Sequence, residues 1–157
     1  MSLNDTLLIG FVLQDGLIDI IIRFCTYKIA LTADLQKMYR QVLIQENDRD
    51  FQRILWRFSP EQPVQDYRLN TVTYGQACAS YLAVCCLRQL DEEDKESYPL
   101  ASHTLLNDTY VDDIISGAST IENARSLQEQ LTMFVRERTA RKNSSESSAH
   151  GWYDARQ

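Results

Sequence analysis

The sequence has few of the residues and segments that cross-link or anchor a chain. Its 157 residues include four cysteines with neither a C-x-x-C pair nor a partner-histidine spacing, so neither a disulfide scaffold nor a zinc site is indicated. The longest apolar runs, residues 7–13 and 17–22, are too short to span a bilayer. The amino terminus has no basic segment followed by a cleavage site. We therefore expect reduced cysteines, no signal peptide or transmembrane segment, no membrane partner, and a location in the cytoplasm or nucleus.

Positive charge is also scarce. Lysine and arginine total 16 against 22 aspartates and glutamates, which gives a net charge of −6 at pH 7. This balance argues against a protein that wraps nucleic acid in a basic surface. The remaining composition, 44% hydrophobic and 24% charged, is typical of one globular domain. If nucleic acid is the partner, positive charge must come from elsewhere.

Apolar spacing divides the first part of the chain into alternating helices and strands. Residues 15–25 have helical spacing, and residues 27–34 alternate as a strand that ends at Asp34. A turn with two prolines separates two further strand candidates, which favours a hairpin. A helix that is apolar almost all round follows, and such a helix is buried. The strands of the hairpin are predicted at 51–58 and 67–74, and the buried helix at 76–90.

The second part of the chain ends in a polar, serine-rich segment. The acidic run 91–96 predicts a solvated loop, and residues 105–116 predict a second hairpin with acids at its turn. Ser119 and Glu122 have capping-box spacing and predict the start of a helix. That helix is expected to bury one face, and residues 136–157 are expected to form a divergent, disordered tail. The residues of the predicted face are Ile121, Ala124, Leu127, Leu131 and Phe134.

The order of these elements predicts an α+β fold. A strand, two hairpins and the helices between them favour one antiparallel sheet with helices packed on one face.

Three aspartates could carry chemistry. Asp34 ends a strand, and Asp112 and Asp113 lie at or beside a hairpin turn. If the strand and the hairpin are neighbours, the three like charges repel one another unless cations neutralise them. Carboxylate oxygens are ligands that magnesium prefers, and a pair of such ions supports phosphoryl or nucleotidyl transfer. By itself, an Asp-Asp pair in a turn is more often part of a solvated loop than of a catalytic site.

Several blocks of the sequence resemble reverse transcriptases. Residues 110–113 (YVDD), preceded by residues 30–42 (ALTADLQKMYRQV), are similar to the catalytic motifs of these enzymes. Residues 2–8 (SLNDTLL), 52–57 (QRILWR) and 67–75 (YRLNTVTYG) resemble the BEL/Pao class of retrotransposon polymerases. The blocks occur in the order of that family, so the resemblance extends from about residue 2 to residue 131.

The resemblance implies a polymerase palm with a ferredoxin-like α+β fold and two-metal nucleotidyl transfer. Asp34, Asp112 and Asp113 fall at the catalytic positions and would hold two Mg²⁺ or Mn²⁺ ions. Asp34 and Asp112 would be the main metal ligands, with Asp113 as the auxiliary acid. The backbone carbonyl of Leu35 would help to hold the ion that binds the nucleotide.

The resemblance also implies residues that select the nucleotide and place the primer. Tyr39 falls five residues after Asp34, where the family has an aromatic steric gate against the 2′-hydroxyl. Nucleotide contacts are expected from the segment that leads into the buried helix. Tyr110 would position the primer terminus. The nucleotide-binding residues implied in this way are Leu35, Tyr39, Tyr74, Gly75 and Gln76.

The resemblance defines the expected domains and partners. Residues 2–135 would be a partial reverse transcriptase domain, the palm of an RNA-directed DNA polymerase from a Pol polyprotein. The expected partners are an RNA or DNA template-primer and a deoxynucleoside triphosphate, with the fingers, thumb and RNase H regions missing from this chain. Two alternatives stay open: an inactive retrotransposon remnant that acts as a binding module, and a nucleotide cyclase. The cyclase is disfavoured because it assigns no role to Tyr39 or to residues 73–75.

Overall fold

The helices and strands follow the apolar pattern of the sequence through most of the chain. The computed structural model describes the backbone of residues 1–145 and 153–155 and the side chains of residues 1–137. Short 3-10 helices at Leu3–Asp5, Met38–Gln41 and Glu46–Phe51 connect larger elements. The α-helices are α1 (Leu17–Phe24), α2 (Ala79–Asp94), α3 (Pro99–Asn107) and α4 (Ile121–Ser145). The strands are β1 (Ile29–Asp34), β2 (Arg53–Trp56), β3 (Gln65–Leu69), β4 (Thr109–Tyr110), β5 (Asp113–Ala118) and β6 (Tyr153–Ala155).

The first sheet is antiparallel, in the order β1-β5-β4. In β1, Ile29 and Leu31 are half-buried while the residues after them are exposed, which is the two-residue period of a strand with one covered face. The register of β1 against β5 runs from Ile29 opposite Ala118 to Asp34 opposite Asp113. The first sheet therefore joins the end of the predicted strand to the predicted acidic hairpin.

The second sheet is separate and has the order β2-β3-β6. β2 and β3 form the hairpin predicted around Pro60 and Pro63, with Trp56 opposite Gln65. Every residue of β2 is exposed. The prediction of a single sheet is wrong, because within the described residues these strands pair with each other and with β6 rather than with β1. The fold is α+β with two small antiparallel sheets.

The main core lies where α3 and α4 pack against β5. Leu127, Leu131 and Phe134 of α4 are buried at helical spacing, as the sequence predicts. Ile121, which was expected on the same face, is 54% exposed because it lies in the first turn of α4, at the edge of this core. The buried cluster consists of Ala101, Leu105, Ile114, Leu127, Leu131 and Phe134.

The acidic run after the second predicted helix is not a solvated loop. Helix α2 continues through Asp94, and Asp91 and Asp94 are both buried. Asp91 accepts a hydrogen bond from the hydroxyl of Ser102 in α3. The Asp94 backbone carbonyl accepts the amide of Tyr98 at 3.0 Å. The bond to Ser102 satisfies a carboxylate that is costly to bury alone. The prediction of a solvated loop is therefore wrong for residues 91–94, which are helical and bury two acids, while Glu92, Glu93, Lys95 and Glu96 are exposed.

Helix α3 was not predicted. Residues 105–107 were assigned to a strand of the second hairpin, but they form the last turn of α3. Pro99 is the first residue of this helix, a position that proline favours because the amide it lacks has no partner inside the helix. The hairpin strand β4 is therefore only Thr109–Tyr110.

Helix α4 differs from its prediction at both ends. Its first turn is capped by Thr120 rather than Ser119, because the Thr120 hydroxyl accepts the amide of Asn123 at 3.2 Å. At the other end the helix extends to Ser145, and Tyr153–Ala155 adds a strand beside β3, so these parts of the expected tail have backbone structure. The remaining residues of the predicted disordered tail, 146–152 and 156–157, lie outside the described residues.

Two expectations concerned the state of the cysteines and the lack of a transmembrane segment. All four cysteines are free thiols, and Cys25 is exposed while the other three are half-buried. Across residues 1–145 and 153–155, none of the helices combines the length and the apolar character that crossing a bilayer requires.

Candidate active site

The first sheet brings the three candidate carboxylates to one edge. Asp34 is the last residue of β1 and Asp113 is the first of β5, and the two are direct cross-strand partners. Directly opposed residues of antiparallel strands place their side chains on the same face, with Cβ atoms about 4.5–5.5 Å apart. Just beyond the ladder, the amide of Leu35 donates to the carbonyl of Asp112 at 2.8 Å. The backbone therefore holds Asp34 beside both acids of the hairpin.

The hairpin turn has an unusual backbone. Tyr110 pairs with Asp113, so Val111 and Asp112 form a two-residue connection. Val111 has φ 58°, a left-handed conformation that costs a residue with a Cβ roughly 1–2 kcal/mol. Its amide donates to the Gln14 side-chain oxygen at 3.1 Å, which ties the turn to the segment before α1. A β-branched residue held in this conformation marks the turn as a constrained part of the molecule.

The carboxylates of this edge make no ion pair with the side chains that the structure describes. Asp34 and Asp113 are exposed and Asp112 is half-buried. Within residues 1–137, none of their side chains makes an ion pair or a hydrogen bond to another side chain. In the same residues, no three His, Cys, Asp or Glu side chains are already gathered as a metal-binding group. The donor atoms are carboxylate and carbonyl oxygens, which suit Mg²⁺ or Mn²⁺ once the side chains converge.

The carbonyl of Leu35 has a partner of its own. It accepts the amide of Met38 at 3.0 Å, at the start of the 3-10 helix that follows β1. A carbonyl oxygen has two lone pairs, so this bond leaves one free for an ion. The same 3-10 helix carries Tyr39.

The structure brings Tyr39 and Tyr74 together. Their rings meet edge to face, with centroids 4.9 Å apart and an angle of 83° between the planes. The hydroxyl of Tyr39 also lies 3.0 Å from the hydroxyl of Ser80 in the first turn of α2. Edge-to-face contact and a hydroxyl pair fix the ring of Tyr39 more firmly than either contact alone. Two residues that were predicted separately to contact the nucleotide thus form one aromatic pair.

The segment after Tyr74 is held by two side chains. Gly75 has φ 87°, which glycine adopts without strain, and its carbonyl accepts the Asn4 side-chain amide at 2.8 Å. The Asn4 oxygen accepts the amide of Ala77 at 2.9 Å. The Gln76 side chain does not face outward: it donates to the Gln52 oxygen at 2.8 Å, and its own oxygen accepts a backbone amide. Gln76 therefore stabilises the backbone of residues 73–76 through hydrogen bonds inside the protein.

No family model and no curated protein matches this chain. The chemistry of the site therefore follows from the residues of this chain and from their geometry.

Several residues that shape the site were not singled out from the sequence. Asn4 lies in one of the reverse transcriptase-like blocks, and Gln52 begins another, so the blocks themselves contained the signal. Asp108 is not marked by any local pattern, because two of its partners, Arg23 and Tyr27, come from distant parts of the chain. Tyr110 is half-buried beside the turn, which agrees with either packing or a contact with a primer.

Proposed function

We propose that this chain is the palm of a BEL/Pao-type retrotransposon reverse transcriptase, an RNA-directed DNA polymerase. The observation that carries the proposal is the register of the first sheet, in which Asp34 lies opposite Asp113 and the amide of Leu35 binds the carbonyl of Asp112. This register gathers at one edge the acids of two sequence blocks that resemble catalytic motifs. The reaction is attack of a primer 3′-hydroxyl on the α-phosphate of a deoxynucleotide, with pyrophosphate as the leaving group.

Each acid has a role in this proposal. Asp34 and Asp112 hold two divalent ions, Asp113 is the auxiliary acid, and the Leu35 carbonyl supports the ion that accompanies the nucleotide. The chemistry that such ions supply when bound is activation of the attacking hydroxyl and stabilisation of the leaving oxygen. The unpaired charge of the three carboxylates supports this assignment, since nothing else described in the chain neutralises it.

The aromatic pair selects the sugar in this proposal. The ring of Tyr39, held by Tyr74 and Ser80, lies below the incoming sugar and excludes a 2′-hydroxyl. Gly75 lacks a Cβ, and among the described residues beyond its two chain neighbours no atom lies within 4 Å of the position that a Cβ would take, so a ligand can approach the backbone closely there. Tyr110, beside the constrained turn, supports the primer terminus.

A non-catalytic binding module is the second candidate. It is favoured by one observation: among residues 1–137, the acids are not already gathered at metal-binding spacing. In this alternative the helices and sheets persist and meet a template or a protein without turnover. Metal binding at the sheet edge separates the two candidates.

The test is a titration of the full chain with Mn²⁺, followed by paramagnetic broadening of its backbone amide signals. We expect broadening centred on residues 34, 35, 112 and 113. Asp34→Asn and Asp112→Asn should each weaken Mn²⁺ binding about tenfold or more, because each removes a ligand charge. The matched control is Asp48→Asn, an exposed carboxylate in the 3-10 helix before β2, which should leave the affinity unchanged. Broadening that is spread evenly over the acidic surface, or that survives both site variants, would overturn the catalytic proposal.

A further inference from the structure

One buried carboxylate lies outside the site. Asp108 is 1% exposed and occupies the junction between the end of α3 and the start of β4. A buried carboxylate without partners is strongly destabilising, so the groups around it determine its role.

Three side chains from different elements converge on Asp108. The Arg23 guanidinium of α1 donates to one carboxylate oxygen at 2.8 Å. The Ser116 hydroxyl of β5 donates to the other oxygen at 2.6 Å, and the Tyr27 hydroxyl, just before β1, donates to the same oxygen at 3.3 Å. Arg23 also donates to the carbonyl of Asn107. The carboxylate therefore connects α1, the approach to β1, and the central strand of the sheet.

The backbone of Asp108 holds the same strand. Its carbonyl accepts the amide of Ile115 at 2.8 Å, and Ser116 next to it lies opposite Leu31 of β1. From Ser116, three residues of β5 lead back to Asp113 and the acidic turn. Asp108 thus binds β5 through both its backbone and its side chain, at the residues two and three positions along the strand from Asp113.

Tyr27 reaches Asp108 across a glycine. A Cβ placed on Gly117 would lie 2.7 Å from the Cβ of Tyr27, so only glycine leaves room for that side chain. Burial, followed by the charge of Asp108, raises the pKa of Tyr27. Hydrogen bonding to Asp108, and then to Asp15, raises the pKa of Arg23. A neighbouring negative carboxylate raises the pKa of both an arginine and a tyrosine, as seen for Arg23 and Tyr27.

We propose that Asp108 is a positioning residue that fixes the strand ending at Asp34 against the hairpin carrying Asp112 and Asp113. This inference rests on the proposed function of the carboxylate edge, and it names the group that keeps that edge in register. Without the charge of Asp108, Ser116 and Tyr27 lose their common acceptor, β5 is held less firmly against β1, and the β1–β5 ladder opens more readily.

The chain supplies a matched control for this role. Asp91 is 2% exposed and accepts a hydrogen bond from a buried serine, Ser102, but it joins α2 to α3 rather than the strands. Asp91→Asn and Ser102→Ala therefore remove a buried charge and a buried hydroxyl, as Asp108→Asn and Ser116→Ala do. If Asp108 only stabilises the fold, the two pairs of variants should have the same effects on the candidate site.

The first readout is hydrogen–deuterium exchange of the Leu35 amide, which reports the bond to the Asp112 carbonyl without any metal. Its rate is divided by that of the Leu131 amide in α4, which accounts for global unfolding. Asp108→Asn and Ser116→Ala should each raise this ratio about tenfold or more, as expected for loss of a hydrogen bond to a charged group. Asp91→Asn and Ser102→Ala should change it by less than about twofold, as expected for separate sites. If Asp108→Asn does not fold, Ser116→Ala decides the outcome.

The second readout is the affinity for Mn²⁺ in the same four variants. We expect Asp108→Asn and Ser116→Ala to weaken Mn²⁺ binding while the control pair keeps the affinity of the wild-type chain. A Leu35 ratio that stays within about twofold of wild type in Ser116→Ala, or that rises equally in the control pair, overturns the role of Asp108. If the wild-type chain binds no Mn²⁺ at this edge, the proposed function fails, while the exchange of Leu35 still decides the role of Asp108.

Discussion

Adding one methyl group at Gly117 should separate the strands that carry the candidate acids. A Cβ at this position would lie 2.3 Å from the carbonyl oxygen of Ile29 and 2.7 Å from the Cβ of Tyr27. The first neighbour is backbone, which cannot rotate away as the end of a side chain can. Gly117→Ala therefore forces the start of β1 to move from β5, and Tyr27 to move from Asp108.

The magnitude follows from three contributions. Overpacking a tight site typically costs about 1–3 kcal/mol of unfolding free energy. Disturbing a ladder hydrogen bond between β1 and β5 adds about 1 kcal/mol. Alanine also reduces the conformational entropy of the unfolded chain, which offsets about 0.4–1 kcal/mol of this loss of stability. We expect a net loss of about 2 kcal/mol, a large fraction of the roughly 5–15 kcal/mol that stabilises a typical domain.

Urea unfolding followed by far-ultraviolet circular dichroism measures this loss. The urea midpoint of Gly117→Ala should fall while the slope of the transition stays that of wild type, because the same surface is exposed on unfolding. Gly16→Ala is the control. Among the described residues beyond its chain neighbours, the nearest atom to its Cβ would be an oxygen of the exposed Asp19 side chain, at 3.0 Å. A loss below about 0.5 kcal/mol in Gly117→Ala, the scatter of ordinary surface substitutions, would refute the reasoning.

Three further outcomes are expected. Because burial raises the pKa of Tyr27 above its usual 10.0, this residue contributes stability that is complete below pH 10.0 and lost as the pH rises through the folded pKa. Tyr27→Phe should therefore flatten the alkaline decline in unfolding free energy measured by urea titration, and an unchanged decline contradicts this. Tyr39→Val should reduce the preference for dATP over ATP in Mn²⁺-dependent binding by about tenfold, while Tyr39→Phe should retain the preference. An unchanged preference in Tyr39→Val would mean that Tyr39 serves only in packing. The chain alone should not extend a primer on an RNA template. Its net charge of −6 disfavours template binding, and misplacement of the reacting atoms by about 1 Å can cost roughly a hundredfold in rate. Extension that Asp112→Asn abolishes would show that this chain suffices.

Local pattern predicted most of the regular elements. The alternation before Asp34 predicted β1, the two prolines between apolar runs predicted the β2–β3 hairpin, and helical spacing predicted α1 and the buried face of α4. These predictions succeeded because strand and helix periods are properties of neighbouring residues. Helix α3 was missed because its sequence, PLASHTLLN, has no clear apolar stripe.

For the candidate site too, local sequence predicted the residues but not the contacts between them. The identity of Asp34, Asp112, Asp113 and Tyr39 came from residue type and from the order of the sequence blocks. Their arrangement did not: the pairing of Asp34 with Asp113 and the contact of Tyr39 with Tyr74 join segments far apart in the chain. Register depends on which strands meet, and a shift of one residue would turn every side chain to the other face.

Residue order alone predicts which side chains carry charge, which segments form helices or strands, and which chemistry oxygen ligands can support. The folding of the chain adds that the strands form two sheets and that Asp91 and Asp108 are buried rather than solvated. The partner of Asp108 on α1, Arg23, lies 85 residues away in the chain. A polar side chain can be buried only where hydrogen-bonding partners replace water, and for these aspartates the partners become neighbours only when the chain has folded.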